Sequence, residues 1–418
     1  MATVKCGQAV IIGGSIAGMC AARAVSDFYQ KVIIIERDPI FHNPDIRPGV
    51  PQSRHLHAIL LKGLQIMQDL FPELEAELDR NNIPEVIDGI DFRMLFPNGW
   101  SPLMDLGLKA RSCTRPMLES AIRKQVSKIP QIEIIDRAQV DGPILDDQHQ
   151  KIIGVRIREN SGRLSQIHAD LLIDASGRHS RSAQWLADLN FGIVQESIVN
   201  AFWGYASRMY EIPSDFKKHW KGIYIMNKAP DFPRMGIALP MEDNRWLVNL
   251  AGVMKDYPPS DEDGFLRYAK SLRSPEIYDA IRSAKPLSPI YEFRHTANRR
   301  KYFENLQRWP ERFLVMGDSL CAFNPVYGQG MSVCALEAQA LQKFLAVNGN
   351  FENGAAKKFQ KKIASIVEPC WMLATGEDHS WPGTQGAAPN KVMKVMQWYV
   401  HKIIALAPTN PLAFLRFK

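Results

Sequence analysis

The sequence has no stretch of roughly 20 uninterrupted apolar residues, so no conventional bilayer-spanning helix is expected. Its opening, MATVKCGQAVIIGG, passes directly into a strand and a glycine turn, which does not read as a secretory signal. Internal repeats, low-complexity tracts and Gly/Ser linkers are missing as well. The six cysteines (Cys6, Cys20, Cys113, Cys321, Cys334, Cys370) form no CxxC pair. That scatter argues against a disulfide framework or zinc site and for reduced, mostly buried thiols in a cytoplasmic protein. The one HxH, His55 and His57, has no third ligand near it in sequence, so no metal is expected. The formal charge of +7 is small for 418 residues. Basic clusters NRRKYF (298–303) and KKFQKK (357–362) read as solvated faces rather than nucleic-acid contacts, although their field would help recruit an anionic dinucleotide.

What is present is a chain long enough for two structural units in one body, with ordinary apolar (46%) and charged (23%) fractions. AVIIGG (9–14) is a continuous apolar run, SIAGMCAARAVSDFY (15–29) has helical spacing, and KVIIIERD (31–38) is a second apolar run. Strand, glycine turn, helix, strand is a βαβ unit whose parallel strands are buried on both faces. A Pro- and Arg-rich loop (41–55) follows, then helical patterns at 55–71 and 115–129. Strands are expected at 132–136, 151–158 and 168–177. Residues 190–295 carry aromatic- and methionine-rich strand patterns and suggest an antiparallel sheet that shapes an apolar pocket. RFLVMGD (312–318) returns as a buried strand, and the chain from Met331 on is largely helical. MKVMQWYVHKIIALA (393–407), amphipathic and basic, reads first as a packing helix and second as a membrane-surface one.

Gly13-Gly14-Ser15-Ile16-Ala17-Gly18 fits the dinucleotide fingerprint, with Ser15 in place of the second glycine. Gly13 permits the tight turn, Ser15 is small enough for a pyrophosphate to approach, and Gly18 lets helix and strand pack closely. Glu36, eighteen residues beyond Gly18, suits the ribose hydroxyls of an adenosine. A second glycine–acid turn opens GDSLCAFNPVYGQGMS (317–332) at the end of another buried strand. Two such turns favour a cofactor longer than its adenosine end, FAD rather than NAD.

At this point the chain resembles a class A FAD-dependent monooxygenase, the family of p-hydroxybenzoate hydroxylase and squalene epoxidase, nearest its polyene epoxidase-like branch. The similarity rests on GGSIAG with Glu36, RPGVPQSRHLHAIL (47–60), TRPMLESAI (114–122), DLLIDASGRHSRSAQWL (170–186) and GDSLCAFNPVYGQGMS, in that order. The resemblance implies an α/β fold: a glutathione-reductase-type, Rossmann-like FAD-binding domain from 1–189 and 296–345, an inserted antiparallel-sheet substrate domain at 190–295, and a helical C-terminal region at 346–418. It places Gly13, Ser15, Ile16, Ala17, Gly18, Glu36 and Arg37 at the adenosine half of FAD. Arg115 would reach its phosphates or ribose, Arg47 and Arg54 would lie along it, and Val140 would offer backbone to adenine. Asp318 would bond the ribityl chain, and Pro325, Gly328, Gln329, Gly330 and Met331 would lie against the flavin.

The implied activity is epoxidation or hydroxylation of a hydrophobic small molecule with NADPH or NADH and O2, through a flavin C4a-hydroperoxide. The alternatives are a flavin halogenase or a prenyl-chain reductase on the same scaffold, and the halogenase WxWxIP motif has no match here. No catalytic side chain is assigned, because this chemistry asks the protein to hold, orient and keep dry rather than to act as acid or base. Two positions depart from the hydroxylase pattern: Ser176 stands where an Asp is expected in DASG, and Cys321 stands where many relatives carry His. Glu377, Asp378 and His379 (in 374–383) read first as a surface loop capped by tryptophans and second as lining of the pocket entrance.

Overall fold

The computed structural model describes residues 5–40 and 43–417; the first four residues, the start of the 41–55 loop and the terminal lysine lie outside them. Its centre is a five-stranded parallel sheet in the order Phe313–Val315, Leu171–Asp174, Cys6–Ile12, Tyr29–Ile35, Ile132–Ile135. The unbroken Val/Ile/Leu runs are explained by burial on both faces: Val10, Ile11, Val32, Ile34, Leu172 and Leu314 are all fully buried. Helix Ile16–Ser26 packs nine of its eleven residues inside, and its small residues Gly18, Ala21 and Ala22 permit that close approach. Packed against the interior strands Leu171–Asp174 and Tyr29–Ile35, Ala138–Leu145, Ile152–Glu159 and Leu164–His168 form a three-stranded antiparallel meander.

The second large sheet has seven strands in the order Tyr291–Phe293, Gly204–Glu211, Arg245–Gly252, Arg234–Met241, Gly222–Ile225, Phe92–Phe96, Gly99–Trp100. Phe92–Phe96 and Gly99–Trp100 come from a stretch that the sequence groups with the cofactor unit. Phe92–Phe96 joins Gly222–Ile225 in parallel, and its alternation buries Leu95 on one face and Met94 and Phe96 on the other.

Period-two alternation gives this sheet two different faces. One face carries Ala206, Tyr210, Ile223, Trp246, Val248 and Leu250. It is covered by helices Glu262–Lys270 and Glu276–Ile281, which the strand reading of 190–295 did not anticipate. Asp261 caps the first of these by accepting from Gly264 N–H. The opposite face carries Tyr205, Ser207, Asn249, Ala251, Met235, Ile237 and Tyr224, in register across four strands. The C-terminal part is helical, Gly330–Asn348, Ala355–Asp378, Lys391–Leu406 and Pro411–Phe417. Of these, Ala407 and Phe414 seal Met94 and Phe96 at the edge of that second face.

Candidate cofactor and substrate site

Neighbouring strands carry Ile12, Asp174 and Val315 at one level. The turns at Gly13, Gly177 and Gly317 therefore lie side by side beyond the carboxyl ends of the parallel sheet, where open α/β sheets bind ligands. Gly13 has φ +102°, and a Cβ there would stand 2.5 Å from the Ala175 carbonyl oxygen. A Cβ on Gly18 would stand 1.8 Å from the Gly13 oxygen, so the helix starts here only with hydrogen at that position. Ser15 makes no side-chain cap, which leaves the first-turn amides and the positive helix end open to an anion. Its hydroxyl instead donates to Glu119 Oε2 (3.1 Å) and accepts from Arg115 Nη2 (3.0 Å).

Beneath that turn is a buried cluster of acids and arginines. Glu36 accepts from Gly14 N–H at 2.7 Å and from Asp38 N–H at 3.0 Å. Arg47, only 3% exposed, sets Nη1 2.9 Å from Glu36 and bonds Glu119 through Nη2. Glu119 also faces Arg115 (3.4 Å) and Arg123 (3.1 Å). Burial works to raise the Glu119 carboxyl, but Arg115, Arg47 and Arg123 together hold it below its usual range. Burial likewise opposes the charge on Arg47, and Glu119 and Glu36 more than restore it. Glu119 lies inside the quoted TRPMLESAI yet was not assigned a role from sequence. Its signal was its position four residues after Arg115, one turn along the same helix face.

The other sequence-assigned residues of this half separate. Val140 is buried in the meander, next to Ala138, whose N–H donates to the Glu36 carbonyl at 3.0 Å. Arg37 turns outward, with 57% of its side chain exposed. Arg54 is also exposed and stacks 4.8 Å over Tyr291, at the edge of the seven-stranded sheet and away from the cluster.

The flavin-end turn adjoins the fingerprint directly: a Cβ on Gly317 would lie 2.9 Å from Ala17 Cβ. Gly317 N–H donates to the fully buried Glu337 at 2.7 Å, and burial raises that carboxyl to about 8. Asp318 is accessible to solvent, yet protein surrounds it and raises its carboxyl, with Arg178 and Arg115 opposing. Accessible but enclosed is the condition of a group on the wall of a deep cleft. Pro325–Tyr327 is a short 3-10 turn capped by Asn324, and Gly328 closes it at φ +64°. Gln329 then opens the 19-residue helix Gly330–Asn348 without a side-chain cap, its own Oε1 buried and unpartnered. A Cβ on Gly330 would meet nothing nearer than Asp318 Oδ1 at 3.8 Å, so that backbone is unobstructed beside the acid, whereas Met331 is buried. Open first-turn amides, a solvent-accessible acid at Asp318 beside the Gly330 backbone and an uncapped helix end fit FAD from phosphates to ring.

Segment 55–60 lies across this loop, with Leu60 N–H on Ser332 Oγ at 2.9 Å. Its two histidines are spoken for, and no metal-binding group of His, Cys, Asp and Glu occurs among the described residues. His57 Nδ1 is 3.0 Å from the His55 carbonyl, and His55 Nδ1 is 2.9 Å from Ser207, which donates to Asn249. Burial, with Arg54 beside it, lowers His55 to about 4; burial, with Arg115 near, lowers His57 to about 3. Both are neutral at physiological pH, and through them the loop joins the second face of the large sheet.

That face supplies an apolar wall, in which Trp203, Tyr205, Met235, Ala251, Val253 and Trp381 pack against Val326 of the flavin-end turn. Asp378, read from sequence as part of a surface loop, is instead the fully buried end of helix Ala355–Asp378. It accepts from Trp203 Nε1 (2.9 Å), Tyr327 OH (2.6 Å) and Asn298 Nδ2 (2.7 Å). Burial outweighs these bonds and raises its carboxyl to about 7. Asp174 is saturated by Ser176 N–H (2.8 Å) and the Ser180, Ser182 and Ser319 hydroxyls, so it organises its own turn and presents nothing outward. Cys321 is a buried strand residue whose thiol burial pushes up, inert in its place.

Residues 103–358 match the family model for the FAD binding domain. Protein Rv3254 of Mycobacterium tuberculosis is 30% identical over 379 residues, spanning 88% of this chain and 79% of the relative. Among solved structures, the flavin-dependent brominase Bmp2 aligns with TM-score 0.66 at 16% identity, covering 96% of this chain and 92% of the other. PqsL from Pseudomonas aeruginosa, described as a probable FAD-dependent monooxygenase, aligns at 0.65 and 13%, covering 89% and 96%. At such identities the likeness establishes the fold. The family model, which spans more than half of the chain, goes further, and by it the chain belongs to the FAD-binding domain family of class A flavoprotein monooxygenases.

Proposed function

We propose that this FAD-dependent oxidoreductase uses NADPH or NADH and O2 to epoxidise or hydroxylate a hydrophobic small molecule. The observation that carries the reading is the register of the large sheet. It lines up Tyr205, Tyr224, Met235, Ile237 and Ala251 on the one face that meets the flavin-end turn at Val326. Bound and reduced FAD supplies the activation of O2 and the transfer of one oxygen atom. The chain's own residues hold and exclude. Glu36, Arg47, Arg115 and Glu119 fix the diphosphate half, and Asp318 and the amides of 328–331 fix the other. The aromatic wall takes an apolar substrate and keeps water from the reacting centre. Arg181, exposed above Trp185 at 5.9 Å, is available for the phosphate of a nicotinamide dinucleotide. The six unpaired cysteines suit the cytoplasm.

The test is to purify the protein, record its flavin absorbance, and follow NADPH and NADH oxidation with and without polyene and aromatic candidates. Substrate-stimulated, oxygen-dependent product supports the reading. Product formed only when bromide is added assigns the protein to the halogenases instead.

A further inference from the structure

The last two helices, Lys391–Leu406 and Pro411–Phe417, differ from every other part of the surface. Seven of the seventeen exposed large hydrophobics among the described residues lie on them: Val392, Val395, Trp398, Tyr399, Leu406, Leu412 and Leu415. Helix Lys391–Leu406 buries none of its residues fully. At 100° per residue, Val392, Val395, Tyr399 and Leu406 fall on a single stripe. Lys391, Lys402 and Trp398 border that stripe on one side, and Lys402 Nζ lies 6.0 Å over the Trp398 ring. The opposite side is the one tied to the body: Gln397 donates to the Gly376 carbonyl at 2.7 Å, and His401 pairs with Glu377 at 3.0 Å. Residues 379–418 contain five Lys or Arg and no Asp or Glu.

We infer that this outward face docks the enzyme reversibly on an anionic lipid surface. An apolar stripe with an aromatic residue and a lysine border is the pattern of a helix lying in the headgroup plane. Lys391, Val392, Val395, Met396, Trp398 and Tyr399 together make one open, apolar surface on it. A second copy of the chain fits less well. A two-fold contact through this stripe would bring the lysines of one copy against those of the other, with no acid on the segment to neutralise them. No helix of the described residues is long and apolar enough to cross a membrane, so the attachment is to a surface. The place of the helices adds a consequence. Their inner side, through Ile404, Ala407 and Phe414, packs on Met94, Phe96 and Tyr224, the continuation of the apolar wall beside the flavin-end turn. Docking would hold the substrate wall close to the lipid from which an apolar molecule partitions. The docking inference itself rests on the surface alone and stands whatever reaction the site performs.

The experiment is co-flotation of the flavin-loaded full chain with two vesicle preparations, phosphatidylcholine alone and equal parts phosphatidylcholine and phosphatidylglycerol. Binding is expected to the anionic vesicles only, and to weaken with added salt. Each lysine contributes about fivefold to the partition coefficient. The double variant Lys391→Gln, Lys402→Gln should therefore lose about twenty-five-fold, and Trp398→Ser should also lose binding. All three residues are exposed, and an unchanged flavin-to-protein absorbance ratio checks that the variants fold. Absence of binding to either preparation, or equal binding to both, overturns the inference. So does light scattering that shows a dimer which Trp398→Ser converts to monomer, since a second copy then covers the face.

Discussion

The two ends of the cofactor cleft hold buried carboxyl groups in opposite states. At the fingerprint end, Glu119 meets three guanidinium groups, and their attraction overcomes burial and keeps it ionised. At the flavin end, Glu337 and Asp378 are buried as deeply but meet amides, a phenol and an indole instead of cations, and burial raises them to about 8 and about 7. The same side-chain chemistry thus makes a fixed charge lattice where phosphates belong and a protonatable, low-charge shell beside an apolar wall. Ionic groups are affordable inside a protein only where each has its partner.

Removing one member of the lattice should have the largest effect. Glu119→Gln leaves Arg47, Arg115 and Arg123 facing one another with only Glu36 and Asp38 to balance them, and should destabilise the apoprotein by about 3–5 kcal/mol. Thermal unfolding with and without FAD checks this. Added FAD should recover part of the loss, because its diphosphate supplies negative charge to the same arginines; equal losses in both conditions would separate the lattice from the cofactor.

The flavin end should instead show itself in pH dependence. Asp378 holds its proton up to about pH 7 in the folded state but releases it in the ordinary carboxylate range when unfolded. The folded state therefore binds more protons across that window, and stability falls as pH rises through it, by on the order of 4 kcal/mol in total. Asp378→Asn should flatten that slope, because an amide does not titrate in this range. Melting temperature against pH for both proteins decides it, and parallel curves would remove Asp378 as the source.

A smaller contrast lies within the arginines. Arg115→Ala removes a half-buried charged donor next to Ser15 and should weaken FAD binding by about 2 kcal/mol, near thirtyfold. Arg37→Ala, at an outward position, should change it by less than about 0.5 kcal/mol. Titration of FAD into the two apoproteins compares them, and similar losses would place Arg37 at the cofactor after all.

Much of the parallel sheet was legible because its signals are local. Unbroken apolar runs at 9–12 and 31–35, a glycine turn and an acid at the next strand end define the fingerprint within one short segment. The flavin-end turn was legible for the same reason, with Gly328 and Gly330 spaced for a tight turn into a helix. What escaped depends on distant partners. Asp378 reads as solvent-facing in a polar tetrapeptide, and only the arrival of Trp203, Asn298 and Tyr327 from elsewhere makes it a core residue. Arg54 and Arg47 look alike in one loop, yet a neighbouring acid pair takes one inside and a tyrosine ring holds the other at the surface. Helix Glu262–Lys270 was missed although Asp261, Phe265, Tyr268 and Ala269 carried a cap and a helical spacing, because the surrounding aromatic strands dominated the pattern.

The measurement closest to the central claim is the flavin content of the purified protein, released by denaturation and identified by chromatography. One FAD per chain is expected, and Arg47→Ala and Asp318→Ala, at opposite ends of the cleft, should each reduce it. A protein that carries no flavin and takes up none when FAD is added would contradict the account.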